Sequence, residues 1–291
     1  MAVRADQEPI ADHNSRMSGW LTAGSTGTTA AVVYLLFLAS LSVLAPLLSP
    51  FLPTDQDYDF LLSPPNTTHF LGTDDLGRDV LSRLLHGAPI SLGASVLAVT
   101  VAFVIGLPVG IIAGYSGGAV DQILGRIIDT VSSFPGILLA IAVTSALGVG
   151  LTNSMIAVGF VFSPEIARIA RAQTMVMRSE LFVEAAIKMG ASQTRVLVRH
   201  ILPNIIPPVI VQVTLLLPTA LLVESSLSFL GLGIQPPLPS WGSMLSRAFS
   251  NMDVAPFLMY APGLAIVVTA IAFNSLGEAV QRRLNPVEAQ M

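Results

Sequence analysis

Apolar residues in this chain fall into long blocks separated by polar breaks, without the two-residue alternation of half-buried strands. A helix needs about 20 largely apolar residues to cross the hydrocarbon core of a bilayer. On that measure the sequence predicts spans at about 30–48, 90–114, 127–147, 154–171, 205–223 and 256–276. The fold class expected is all-α, a polytopic membrane protein with six transmembrane helices. The short alternating segments of a transmembrane barrel do not occur. Residues 1–27 are polar and read as a cytoplasmic N-terminal tail, leaving 28–291 as the transmembrane domain.

The breaks between blocks carry their own structure. Residues 54–88 hold Asp55, Asp57, Asp59, Asp74, Asp75 and Asp79, and read as a solvated external loop. Within it Val80, Leu81, Leu84 and Leu85 share one helical face, so a short helix is expected along the outer interface, with Arg83 and His86 turned away. Residues 226–256 form a second external loop, in which Ser240 can cap a helix bearing Trp241, Met244, Leu245, Ala248 and Phe249. In the second span Gly106, Gly110 and Gly114 recur every four residues, a spacing that lets another helix approach closely. Both packing inside the bundle and a seam with a partner chain suit that stripe.

The most structured break is 181–204, LFVEAAIKMGASQTRVLVRHILPN. Glu184, Ala185 and Ala186 lie in a helix-forming run, Gly190 ends it, and Ser192 can cap a second short helix that stops before Pro203. Helix, sharp turn, helix is the shape of a rigid docking lever, and small alanines let a partner come close to the backbone.

Composition and charge narrow the class. With 53% hydrophobic and 11% charged residues the chain is not a soluble globule, and without cysteine it has no disulfide, thiolate nucleophile or thiolate-bound metal. Arg4, Arg16, Arg126, Arg168, Arg171, Arg178, Lys188, Arg195, Arg199, Arg282 and Arg283 fall on one side of the six-span topology; only Arg78, Arg83 and Arg247 fall on the other. The positive-inside rule puts the first group, both termini and the lever in the cytoplasm.

Candidate chemistry is sparse. The sole lysine, Lys188, sits between Ile187 and Met189, so there is no P-loop and no means of binding nucleotide phosphates in that way. Gly114-Tyr115-Ser116-Gly117 matches the GxSG string of intramembrane serine proteases, which would need a histidine base near Ser116; His200 shares that side, and a glycine-rich turn is the plain alternative. The histidines His13, His69, His86 and His200 are scattered and no metal site is expected. Ionisable residues stand only at predicted span ends, Asp129, Glu165 and Glu224 among them. Glu224 with Ser225 is a candidate for an external gate or partner contact, a solvated helix end being the other reading.

Five blocks together resemble one family: LGTDDLGRDVLSR (Leu71 to Arg83), SFPGILLAI (Ser133 to Ile141), the EAA of Glu184 to Ala186 followed by Gly190 and by Leu202-Pro203, LSFLGLGIQPPLPSWG (Leu227 to Gly242) and PGLAI (Pro262 to Ile266). They are similar to the C-type permease subunit of the oligopeptide/dipeptide/nickel ABC importers, covering most of the chain after residue 60. Pro89 departs from the pattern, standing where relatives usually have an arginine.

The resemblance implies a type I ABC importer permease fold in the prokaryotic inner membrane. It implies a homologous B-type permease, two ATPase subunits or domains, an extracytoplasmic solute-binding protein and a peptide-like or other small solute, nickel included. Glu184, Ala185, Ala186, Gly190, His200, Leu202 and Pro203 would then form the ATPase-coupling site. ATP and Mg would be bound by the ATPases and no cofactor by this chain. Membrane lipid is a further partner, and no nucleic acid is expected. The rival reading from the residues alone is a secondary carrier driven by an ion gradient, with 181–204 a solvated loop.

Overall fold

The structure, a computed structural model, describes residues 13–284, with side chains described from residue 27 onward. Ten α-helices appear among these residues: α1 (His13–Leu48), α2 (Val80–Ser116), α3 (Gly118–Ser132), α4 (Gly136–Leu147), α5 (Leu151–Arg178), α6 (Leu181–Lys188), α7 (Gln193–Val196), α8 (Leu202–Phe229), α9 (Trp241–Ser250) and α10 (Tyr260–Leu284). The first twelve residues of the expected tail lie outside the described ones. Among the described residues the only β pairing is an isolated bridge between Thr73 and Asp79.

Four helical stretches are long and apolar enough to cross a membrane: Gly27–Leu48, Val80–Ser116, Gln193–Phe229 and Pro256–Leu284. A fifth crossing results if α3 and α4, bent by 94° at their junction, are taken as one. The expected span 127–147 is therefore a broken helix. Pro135 has no N–H to continue the α3 ladder, and the residue before a proline is driven out of the helical region. α5 has the length, 28 residues or about 42 Å, but Glu165, Arg168, Arg171 and Arg178 lower its apolarity.

α5 is nevertheless the centre of the bundle, packed along α2 more extensively than any other helix pair and also against α8, α4 and α3. The glycine stripe makes this possible. A Cβ at Gly106 would stand 2.5 Å from the Ser163 carbonyl oxygen, at Gly110 2.4 Å from that of Ala167, and at Gly114 2.6 Å from that of Arg171. Gly159 of α5 answers from the other side, where a Cβ would lie 2.5 Å from Val101 Cβ. Of the two uses open to the stripe, it serves packing inside the bundle. Ala98, Ala102, Met155, Val158, Ile166, Ala170, Val209 and Leu227 complete this core. α10 packs on α8, and α1 lies outside against α10 and α2, pinned by a 2.9 Å hydrogen bond between Tyr34 Oη and Thr269 Oγ1.

Two expectations about the outer side are corrected. Val80–Leu85 do not form a separate interfacial helix; they are the first turns of α2, which runs unbroken for 37 residues, about 55 Å. Its N-cap is Asp79, whose carboxylate accepts from Ser82 N at 2.7 Å. The acidic loop is not merely solvated either: Asp74, Arg78, Asp79 and Arg83 are all buried. Asp74 accepts from Arg78 Nε at 2.8 Å and Leu76 N at 2.9 Å, while Asp79 also meets His69 Nδ1 at 3.0 Å. Arg83, expected to point away, donates to the Pro53 carbonyl at 2.7 Å. Buried charges are retained only when paired and hydrogen-bonded, and the LGTDDLGRD run supplies both partners locally.

Candidate functional site

The segment 181–204 is a built elbow. α6 ends in a Schellman motif: Gly190, at φ +85°, donates to the Ile187 carbonyl at 2.9 Å, and Ala191 donates to that of Ala186 at 3.0 Å. A larger side chain would resist that left-handed angle. Ser192 then caps α7, its hydroxyl accepting from Arg195 N at 3.4 Å. The second helix does not stop before Pro203. A π-helical turn, Leu197–Ile201, leads without a break into α8, where Pro203 is the second residue and its missing N–H falls within the reorganised turn.

The elbow is anchored from inside. Val183, Val196, Ile201 and Ile205 are fully buried and pack with Leu107, Ile111 and Tyr115 of α2 and Met177 of α5. The elbow is thus in side-chain contact with the two central helices, α2 and α5. The outward face carries Leu181 and Met189, 80% and 81% exposed, with Phe182, Ile187 and Val198. These exposed apolar side chains lie beside a charged pair, Lys188 Nζ to Glu184 Oε1 at 2.6 Å.

Of the residues singled out from sequence, Glu184, Ala185 and Gly190 lie on the open face, whereas Ala186 is 5% exposed and fills the elbow's own core. His200 sits with its ring 6.2 Å from that of Phe182, Leu202 packs on the elbow core, and Pro203 is exposed. The exposed apolar residues Leu181, Phe182 and Met189 were not singled out. Their signal was present in apolar residues flanking EAA that no inward face could absorb.

Glu224 and Ser225 do not form an outer surface. Glu224 is completely buried and Ser225 nearly so. Ser228 Oγ donates to Glu224 Oε1 at 2.7 Å, and the Ser225, Ser240 and Ser91 hydroxyls also reach the carboxylate. Trp241 closes the site, donating from its backbone to Ser91 Oγ and from its indole to the Leu84 carbonyl, each at 3.1 Å. Ser240 and Ser243 form the capping box of α9. This cluster ties α8, α2 and α9 together, and the Glu224 carboxylate is enclosed by groups of this chain in this structure.

Ser116 ends α2 before Gly117, at φ +66°. Gly117 and Gly118, at φ +66° and +54°, form the glycine-rich turn that follows it.

A bundle with four helices long and apolar enough to cross a membrane is that of a polytopic membrane protein. The comparisons agree. Residues 106–286 match the family model described as the binding-protein-dependent transport system inner membrane component, and the chain belongs to that family. It is 42% identical over 258 residues to the glutathione transport system permease protein GsiD of Pectobacterium atrosepticum, covering 88% of this chain and 86% of the relative. It is 42% identical over 257 residues to GsiD of Escherichia coli O157:H7, covering 88% and 85%. Among solved structures it is similar to a chain of the MetNI methionine ABC transporter in inward-facing form, with a TM-score of 0.57 and 20% identity over 69% of this chain and 96% of the other. A second crystal form of that transporter gives a TM-score of 0.58 at 19% identity, over 70% and 97%. The chain is the permease subunit of an ABC importer; in such importers a separate subunit hydrolyses ATP.

Proposed function

We propose that this chain is one of two homologous permeases that share a translocation path for a peptide-like solute, and that its 181–204 elbow seats one of two ATPase subunits. The observation that carries the reading is the Schellman-closed elbow with an apolar outer face and a buried core continuous with α2 and α5. Counting the bent α3–α4 pair and α5 as one crossing each would give six, and the positive-inside rule supports a cytoplasmic elbow and cytoplasmic termini. Nucleotide held by the ATPases, with Mg, would draw them together and swing the elbow as a rigid body, exchanging inward for outward access. A solute-binding protein outside would deliver the cargo. The glutathione cargo named for two relatives supports a small peptide as the solute class.

The test uses the tagged chain isolated from its native membrane. The wild-type chain brings with it a second permease and ATPases, and supports ATP-dependent uptake of labelled glutathione. The double variant Leu181→Asp, Met189→Asp, altering only exposed side chains, keeps the second permease but loses the ATPases and the uptake. ATPases retained by the variant would remove the elbow assignment, and uptake driven by a proton gradient without ATP would establish the secondary-carrier reading.

A further inference from the structure

One carboxylate in the body of the bundle is neither buried nor paired with a cation. Glu165, in the middle of α5, is exposed and accepts a hydrogen bond from Gln212 Nε2 of α8 at 3.1 Å. Its cationic neighbours are engaged elsewhere: Arg168 Nη2 with Asp129 Oδ1 at 3.2 Å, and Arg171 Nη2 with Asp121 Oδ2 at 2.7 Å. Among the described residues no lysine, arginine or histidine forms an ion pair with Glu165.

Its depth follows from the helix lengths. The outer ends of α5 and α8 converge where Gly150 N and Ser154 Oγ both donate to the Leu232 carbonyl, at 3.3 and 2.7 Å. Glu165 lies fourteen residues below Leu151, about 21 Å along the helix, and Gln212 seventeen below Phe229, about 25 Å. Both distances are shorter than a hydrocarbon core about 30 Å thick, and on the six-crossing reading above they put the pair within it. An exposed carboxylate at that depth does not face lipid tails; it faces water or protein.

A second observation selects the same wall. The break between α3 and α4 lies at the same level, since the twelve residues of α4 carry Gly136 about 18 Å below the outer end. Residues 132–138 are all exposed, and the start of α4 has no side-chain cap. Uncapped, non-helical backbone survives at membrane depth only where protein covers it or water lines it. A Cβ at Gly136 would stand 3.3 Å from Val161 Cγ1, one turn of α5 above Glu165.

We infer that Glu165, held by Gln212 beside the α3–α4 break, lines the water-filled path and receives a cationic group, such as the ammonium of an amino-terminal residue, on the passing solute. This rests on the permease reading above. It adds a selectivity that neither the family nor its coupling elbow implies.

The test exploits the absence of cysteine from the chain. In the assembled complex in membrane vesicles, Val161→Cys is labelled with a cationic (trimethylammonioethyl) or an anionic (sulfonatoethyl) methanethiosulfonate, and the intact mass of this chain is followed with time. With Glu165 present the cationic reagent should react about tenfold faster, relative to each reagent's rate on free thiol, as a unit charge one helical turn away requires. Adding Glu165→Gln should remove that preference while the ATPases still copurify. A preference insensitive to Glu165→Gln, or labelling of Glu165→Cys no faster than of Val104→Cys on the exposed apolar face of α2, overturns the inference. Loss of the ATPases from the wild-type complex would instead strike the permease reading itself.

Discussion

Substituting alanine for Gly110 tests the central seam of the bundle. The added Cβ would lie 2.4 Å from the Ala167 carbonyl oxygen, 2.7 Å from Ala170 Cβ and 2.9 Å from Arg171 N. Carbon atoms in ordinary contact stand about 3.5 Å apart, so α2 and α5 must separate by about 0.8 Å. None of the obstructing atoms is the end of a flexible side chain. Retreat of one helix loosens the neighbouring contacts at Gly106 and Gly114 as well. Overpacking of this kind costs about 1–3 kcal/mol. Gly93 is the internal control: it lies in the same helix with nothing within 4 Å of an added Cβ. There alanine should be neutral or stabilise by up to about 1 kcal/mol through helix propensity. The assay is denaturant unfolding of the purified complex, followed by the fluorescence of Trp241, which is 1% exposed in the core where α2, α8 and α9 meet. Equal midpoints for Gly110→Ala and Gly93→Ala would refute the close-approach account of the seam.

The outer side offers two further checks. Ser240→Ala removes the α9 cap and one of the hydroxyls around Glu224, and should cost about 1–2 kcal/mol in the same unfolding assay; Ser240→Thr should recover most of it. Gly77→Ala would bring a Cβ within 1.9 Å of the Asp57 carbonyl oxygen at φ +72°. Faster limited proteolysis within 54–79 in outward-exposed preparations is expected for this variant, and unchanged cleavage would mean that the loop accommodates it.

Much of the elbow was legible because its determinants are close neighbours. Gly190 terminates α6, and Ser192 caps α7, through atoms within a few residues along the chain. Ser240 capping Trp241–Ser250 is legible for the same reason. Side-chain burial was not. Ala186 and Ala185 are adjacent in sequence, yet one fills a core and the other faces outward, because the face of α6 that docks is chosen by Ile201 and Ile205 some fifteen residues on. Glu224 read as an external gate, a partner contact or a solvated helix end because the groups that enclose it, Ser91 and Trp241, come from distant parts of the chain.

Hydropathy and local capping, properties of residues adjacent along the chain, by themselves determined the helical class, the apolar blocks and the elbow. Tertiary structure alone decided that the glycine stripe of α2 meets α5, that the 127–147 block is broken by 94°, and that Asp74 and Asp79 of the acidic loop are buried against Arg78 and His69. It also decided that Glu165 is left open while Glu224 is enclosed. Those outcomes depend on which surfaces meet after the helices assemble. The free energy of burying a charge or admitting a backbone is set by that meeting and not by the residue's neighbours in sequence.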